Sequence, residues 1–254
     1  MKIEICTQSY SWFKRQWWQL SSIHNQLQPD KHEIVYAMNL FAADPYYDMA
    51  IDMAKLFSQP GLEIKLKMWN DEQIYGYRGN IRNSDWSRVD NDTDWLIYLD
   101  PDIVLSHDWL DRWARWVEKD DHRGRVISLQ RHMVPREIAD AAVAAEQYDR
   151  PITDIERKLG VEHVRGRGST VGAGYFQALH WPTAREQNVS SYCESHYDYF
   201  MFDTAKNKGR MYRTFSEKAI RKLLGVKRVH RLGAIYHMEH VRREDPDWLQ
   251  RGCL

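Results

Sequence analysis

Trp95-Leu96-Ile97-Tyr98-Leu99-Asp100-Pro101-Asp102-Ile103-Val104-Leu105 is the stretch that decides how this chain reads. Its apolar start has the length of a buried strand. Asp100 and Asp102 stand one residue apart at the end of that strand. If strand geometry continues through them, both carboxylates point the same way, because side chains alternate with a period of two. They then sit at the carboxyl edge of a sheet, where open α/β folds bind their ligands. Two hard oxygen donors at such an edge suit magnesium or manganese, ions that also hold substrate phosphates. Read alone, Asp-Pro-Asp favours a turn, since both residue types recur where strands end. The neighbouring elements shift that reading.

Upstream, strand and helix patterns alternate. Lys2 to Tyr10 reads as a strand, Trp12 to Leu27 as an amphipathic helix and Glu33 to Leu40 as a second strand. Tyr46 to Phe57 is helical and ends before Pro60-Gly61. Leu62 to Trp69 alternates as a third strand does, and Tyr77 to Val89 reads as a helix leading to the strand into Asp100. This βαβα order implies an α/β fold, a mostly parallel sheet with helices on both faces. Downstream, Ser106 is placed to cap a helix with Asp108 in its first turn. In that helix Trp109, Leu110, Trp113, Trp116 and Val117 follow core-facing spacing, so its tryptophans read as core rather than as a sugar-stacking platform. Arg125 to Leu129 reads as a strand and Ala139 to Ala145 as a helix. Cys193 to Lys208 reads as helical, and Gly233 to His240 as extended.

The 254 residues carry 36 basic and 36 acidic side chains. A balanced charge argues against a dedicated non-specific DNA binder, which needs a strong basic field. Cys6, Cys193 and Cys253 match no disulfide framework or zinc spacing, which points to a reducing cytosol. No signal-peptide pattern opens the sequence, and no run approaches the ~20 apolar residues of a membrane span. The expectation is a soluble cytoplasmic protein. Without an internal repeat or a linker-like tract, one domain spanning 1–254 is the simpler organisation, with 1–105 facing a nucleotide and 106–254 facing an acceptor.

Several constellations carry chemistry. His237 and His240 flank Met238-Glu239, and imidazole can complete a divalent site built on carboxylates. The zinc-deaminase signature lacks its downstream Pro-Cys-x-x-Cys, and the zinc-protease motif is absent. Gly166, Gly168, Gly172 and Gly174 fit neither phosphate-loop spacing and read as a loop able to close over a ligand. Arg78, Asn80 and Arg82 can meet a diphosphate or line a solvated helix face. Glu194 and Asp198, one helical turn apart on the expected helix, share a face, and either can serve as a general base.

In this order, the pieces resemble an inverting GT-A glycosyltransferase of the large family-two group. The segment from Asn70 through Gly76, Arg78 and Asn80 to Asp100-Pro101-Asp102 resembles the path into its Asp-x-Asp motif. Gly172-Ala173-Gly174-Tyr175-Phe176 is similar to its glycine-aromatic acceptor segment. Asp198, with Gly209 beyond it, resembles its acidic base motif, and Tyr236-His237-Met238-Glu239-His240 its late metal histidine. The resemblance implies a nucleotide-diphosphate sugar donor near Thr7-Gln8-Ser9, Arg78 and Asn80. It places Asp100 on the ribose or a metal-bound water and Asp102 on Mn2+ or Mg2+, with His237 or His240 as a further ligand. Asp198 would be the base, with Glu194 in reserve, and Gly172, Gly174 and Tyr175 would shape the acceptor site. Two positions depart from the family. Asn39 and the later Asp44 stand where an acid usually reads the base, and Tyr197 precedes Asp198 where another acid is usual.

The implied acceptor is a saccharide or a hydroxylated base in DNA, as for some viral glycosyltransferases that act in a host cytoplasm. The basic stretches Arg165-Gly166-Arg167 and Lys227-Arg228-Val229-His230-Arg231 motivate the second. Two other classes compete. A nucleotidyltransferase also uses paired carboxylates and a metal, but no Gly-rich basic loop follows the first strand. A non-catalytic carbohydrate-binding protein would display some of the 11 tryptophans.

Overall fold

Lys2 to Ile5 and Leu62 to Met68 alternate apolar and polar residues, whereas Ile34 to Met38 and Trp95 to Leu99 are continuous apolar runs, the pattern of strands covered on both faces. In the computed structural model, residues 1–9, 13–42, 44, 46–70, 88–119, 123, 126–129, 131–144, 176–186, 190–194, 197–201, 226–229 and 235–238 are described. The first part of the chain runs β1 (Lys2–Ser9), α1 (Phe13–His24), β2 (Glu33–Phe41), α2 (Tyr47–Phe57), β3 (Leu62–Trp69) and β4 (Trp95–Leu99). Then come β5 (Ile103–Leu105), α3 (Trp109–Lys119), β6 (Val126–Leu129), β7 (Arg131–Val134), α4 (Arg136–Ala144), β8 (Phe176–His180) and α5 (Trp181–Glu186). The last strands are β9 (Ser190–Glu194), β10 (Tyr197–Met201), β11 (Val226–Val229) and β12 (Ile235–Met238).

A seven-stranded sheet has the order β11-β6-β8-β4-β1-β2-β3. All its described strands run parallel except β8, which is antiparallel to both β4 and β6. The mostly parallel α/β architecture is therefore as expected, and β8, unread in the sequence, closes the gap between β4 and β6. Two smaller sheets follow, β5-β12-β7 and β9-β10.

One sheet face supplies Ile3, Ile5, Ile34, Tyr36, Met38, Leu40, Trp95, Ile97 and Leu99 to a core completed by the helices. Leu20 and Ile23 of α1, Met53 and Phe57 of α2, and Trp109, Leu110 and Trp113 of α3 pack there. In α2 the buried Ala50, Met53, Ala54 and Phe57 follow the i, i+3, i+4, i+7 stripe of a core-facing helix. That helix stops at Ser58, whose backbone N–H and hydroxyl both bond the Ala54 carbonyl. Gly61 then turns the chain at φ +83, and a Cβ there would lie 2.9 Å from the Pro29 backbone. Trp109 and Trp113 are fully buried with stacked rings 5.2 Å apart, so neither offers a sugar platform, and Trp116 packs partly buried against them.

The intervening positions face the other way and are buried too, as expected where both faces of a parallel sheet are covered. They include a charged pair, Glu4 and Lys67, whose side chains are 0% and 2% exposed with Oε1 and Nζ 2.7 Å apart. Of the expected helix from Tyr77 to Val89, only Arg88 and Val89 lie among the described residues. No helix among those residues is long and apolar enough to cross a membrane.

Candidate functional site

β4 ends at Leu99, and strand geometry does not continue through the acidic triplet. The Ile103 N–H donates to the Asp100 carbonyl at 3.1 Å, closing a turn over residues 100–103. Of the two readings of Asp-Pro-Asp the turn is the one formed, so the condition under which both carboxylates project together from a continuing strand is not met. Proline at the second position presets a turn backbone, and β5 leaves to join a different sheet. The location is as expected: the turn stands at the carboxyl end of β4, one strand from the carboxyl end of β1. Asp102 is 5% exposed, whereas Asp100 is half-buried.

Register brings a distant residue here. β12 runs antiparallel to β5 with His237 opposite Ile103, the residue that follows Asp102. The pairing spans over 130 residues of sequence, and β12 also pairs with β7, His237 opposite Met133. Among the described residues no cluster of three or more metal-ligating side chains is formed. His240, Arg78, Asn80, Gly172, Gly174 and Tyr175 lie outside the described residues.

A stripe of polar side chains on α1 clamps the segment that carries the carboxylates. Gln19 Nε2 donates to the Asp100 carbonyl at 2.7 Å and to the Ile103 carbonyl at 2.6 Å. One turn on, Ser22 Oγ accepts from the Leu105 N–H at 3.2 Å. Gln26, just past the helix, donates to the Ser106 carbonyl at 3.1 Å and accepts from the Leu110 N–H at 2.8 Å. The last bond satisfies one of the N–H groups that a helix start leaves without an internal partner. The start of α3 therefore differs from the expectation. Asp108, not Ser106, directly precedes it, Asp111 is its first-turn acid, and Ser106 Oγ bonds Asp108 instead.

Behind Gln19 lies a second layer of hydrogen bonds. The Tyr36 hydroxyl donates to Gln19 Oε1 and accepts from Gln16 Nε2, which also donates to Ser9 Oγ. Burial pushes the Tyr36 phenol well above its ordinary value, against smaller opposing contributions from Gln16 and Thr7. The hydroxyl thus stays protonated and remains a donor. Of the β1 residues expected to meet the donor, Thr7 and Ser9 are buried, and Gln8 is half-buried. The Ser9 hydroxyl is engaged by Gln16, which connects the end of β1 to α1.

Asn39 lies inside β2 rather than after it. Its amide donates to the Thr7 carbonyl at 3.2 Å and accepts from Trp69 Nε1 at 2.7 Å. Asp44 is buried and accepts from the Tyr46 N–H at 2.9 Å, a local turn bond. Glu194 and Asp198 are not on a helix. They belong to the antiparallel pair β9-β10, where Tyr197 faces Glu194 and Asp198 faces Cys193. The aromatic content of the two strands, Tyr192, Tyr197, Tyr199 and Phe200, outweighs the helical spacing of the acids, and the two acids fall on different register steps.

A cavity of about 760 Å3 opens beside β3, lined in part by Lys65, Lys67, Arg88 and Asp90. It is not a ready anion site, because its cations are already matched. Lys67 pairs with Glu4, Lys65 with Asp90, and Arg88 bonds the Met68 carbonyl and stacks 4.1 Å above the Trp69 ring.

No protein family and no curated protein matches the chain by sequence. Solved structures are similar to it in fold. TarS 1-349 of S. aureus aligns with a TM-score of 0.53 at 12% identity over 93% of this chain and 60% of that one. The same protein in complex with UDP-GlcNAc aligns at 0.52 and 12% over 99% and 64%. The mannosyltransferase PcManGT from Pyrobaculum calidifontis, in complex with GDP-Man and Mn2+, aligns at 0.52 and 14% over 98% and 60%. This chain spans less than two thirds of the length of each. At these identities the likeness establishes the fold, an α/β sheet of the GT-A nucleotide-sugar transferase type.

Proposed function

We propose that this chain is a metal-dependent glycosyltransferase that moves a sugar from a nucleotide-diphosphate donor to a hydroxyl acceptor with inversion. The observation that carries this reading is the Asp100–Asp102 turn at the carboxyl end of β4, with His237 in register beside it. It occurs on a fold shared with proteins solved in complex with UDP-GlcNAc and with GDP-Man and Mn2+.

The donor set fits the ion. Carboxylate oxygens with one imidazole suit manganese or magnesium, and the buried Asp102 offers a low-dielectric anchor. Asp100, Asp102 and His237 would hold the cation, with His240 as the alternative histidine. When bound, the cation supplies charge stabilisation to the departing diphosphate. The chain's own residues do the rest. Thr7, Gln8 and Ser9 orient the donor at the end of β1, and Arg78 and Asn80 meet its diphosphate. Gly172, Gly174 and Tyr175 shape the acceptor side. Asp198, or Glu194 in its place, takes the proton of the acceptor hydroxyl. The acceptor oxygen forms the new bond to the anomeric carbon as the bond to the diphosphate oxygen breaks, and the nucleoside diphosphate leaves. One displacement inverts the centre. The acceptor is a saccharide by default, with a hydroxylated DNA base as the competing substrate, and the working compartment is the cytoplasm.

A thermal-shift titration with UDP, GDP, CDP and ADP and their sugars, with and without Mn2+, tests the reading. A ligand that binds only the folded chain raises the melting temperature by mass action. A manganese-dependent rise with one nucleotide is the expected result and names the base. A folded chain that responds to none of them would overturn the donor site.

A further inference from the structure

The hydrogen bonds that fix the acidic turn come from a helix face that is polar where a core helix is ordinarily apolar. Gln16, Gln19 and Tyr36 are 1%, 0% and 0% exposed and Ser9 is 4% exposed, so each must find its partners inside the protein. A glutamine amide has two N–H donors and an accepting oxygen. Gln19 uses both donors on the Asp100 and Ile103 carbonyls and its oxygen on the Tyr36 hydroxyl. Turned about, the amide would set its oxygen against two carbonyl oxygens. Those carbonyls can only accept, so they fix the Gln19 amide with its oxygen toward Tyr36, whose hydroxyl donates to it and is left to accept from Gln16 Nε2. Gln16 Nε2 also bonds Ser9 Oγ. The donor direction is thus set at the turn and passes back through Gln19 and Tyr36 to Gln16.

The two carbonyls bonded by Gln19 belong to Asp100 itself and to the residue after Asp102, so they bracket both carboxylates. We propose that Gln19 is a positioning residue for the Asp100–Asp102 cation site, and that Tyr36, backed by Gln16 and Ser9, holds it in place by partnering its amide oxygen. This rests on the metal role given above to Asp102. The arrangement joins the donor end of β1 to the metal end of β4 through α1. Loss of such an outer partner typically weakens metal binding about 10- to 100-fold.

The test is a Mn2+ titration of the full chain, with free Mn2+ read by electron paramagnetic resonance well below the melting temperature. Near-UV circular dichroism of each variant reports its packing. Asp102→Asn should lose the site, Gln19→Met should weaken Mn2+ about tenfold or more, and Tyr36→Phe should weaken it several-fold. A purely structural Gln19 would lower the melting temperature and leave the affinity of the folded chain unchanged. If Gln19→Met does not fold, Tyr36→Phe, which removes one oxygen, carries the test. Wild-type affinity in the foldable Gln19 and Tyr36 variants, with Asp102→Asn impaired, overturns the positioning role alone. Wild-type affinity in Asp102→Asn, or no Mn2+ binding by the unaltered chain, overturns the metal placement and this role with it.

Discussion

The two ends of the central sheet are held by different physics. At the amino end, charges hold charges. Lys2 lies 3.2 Å from Asp90, 2.9 Å from Asp92 and 3.4 Å from Glu33, while Lys65 pairs with Asp90. Deeper in, Glu4 meets Lys67 and also accepts from the Asp90 N–H and the Thr93 hydroxyl. At the carboxyl end, neutral amides and hydroxyls from α1 hold the acidic turn by its main chain. A cation used as the brace there would compete with a metal for the carboxylates. A neutral brace on the backbone fixes position without altering charge. The difference teaches that one end is held by paired charges and the other by neutral groups that leave the turn's carboxylates out of the brace.

Breaking the buried pair should have the largest effect. Lys67→Met leaves the Glu4 carboxylate buried without its cation and should cost about 3–5 kcal/mol in urea unfolding. Glu4→Leu combined with Lys67→Met should recover much of that loss. A single variant as stable as the unaltered chain would remove the contrast between the two ends.

At the carboxyl end the effect should be on turnover instead. Asp102→Asn should reduce transfer at least about a hundredfold, the scale of losing one preorganised electrostatic group. Its urea midpoint should stay close to that of the unaltered chain. Near-normal turnover would move the chemistry away from this turn.

The smallest effect sharpens the amino end. The Lys65 ammonium, with a smaller contribution from Lys2, outweighs burial and holds the Asp90 carboxyl below its ordinary value. A carboxyl depressed on folding contributes stability above its unfolded pKa of about 3.9 and loses it as pH falls through the lower folded value. Stability should therefore drop below about pH 4, and Asp90→Asn should flatten that drop. An unchanged acid profile in Asp90→Asn would assign the drop to other carboxylates. Lys2 works in the opposite sense. Burial lowers its ammonium, but hydrogen bonds to Asp92 and Asp90 outweigh this and raise it, so its contribution persists through neutral pH.

Particular residues show how far local patterns reach. β3 begins at Leu62 and ends at Trp69, as its alternation predicts, and α2 ends before Pro60-Gly61. Those elements are decided by side-chain period and by backbone stops, which are local. β8 was not legible, because its role depends on neighbours on both sides, β4 and β6. The Cys193 to Lys208 stretch depends on pairing in the same way: its acids are spaced for a helix, yet β9 and β10 pair, with Tyr197 opposite Glu194. Gln19 carried a weak signal. Gln16, Gln19, Ser22 and Gln26 recur at three- and four-residue steps along one helix face, but glutamine on a helix ordinarily reads as solvated.

The sequence by itself determined the alternation of strand and helix, the burial of Trp109 and Trp113, and the place of Asp100 and Asp102 after a buried strand. Each follows from the order of apolar, polar and turn-forming residues along a short stretch. Only the tertiary structure decided that His237 lies beside Ile103 and that a buried glutamine holds the turn that Asp-Pro-Asp favours locally. Those facts depend on strand register and on hydrogen bonds between groups roughly 80 to 130 residues apart. No periodicity within one segment encodes them, because partner choice is settled when the elements pack together.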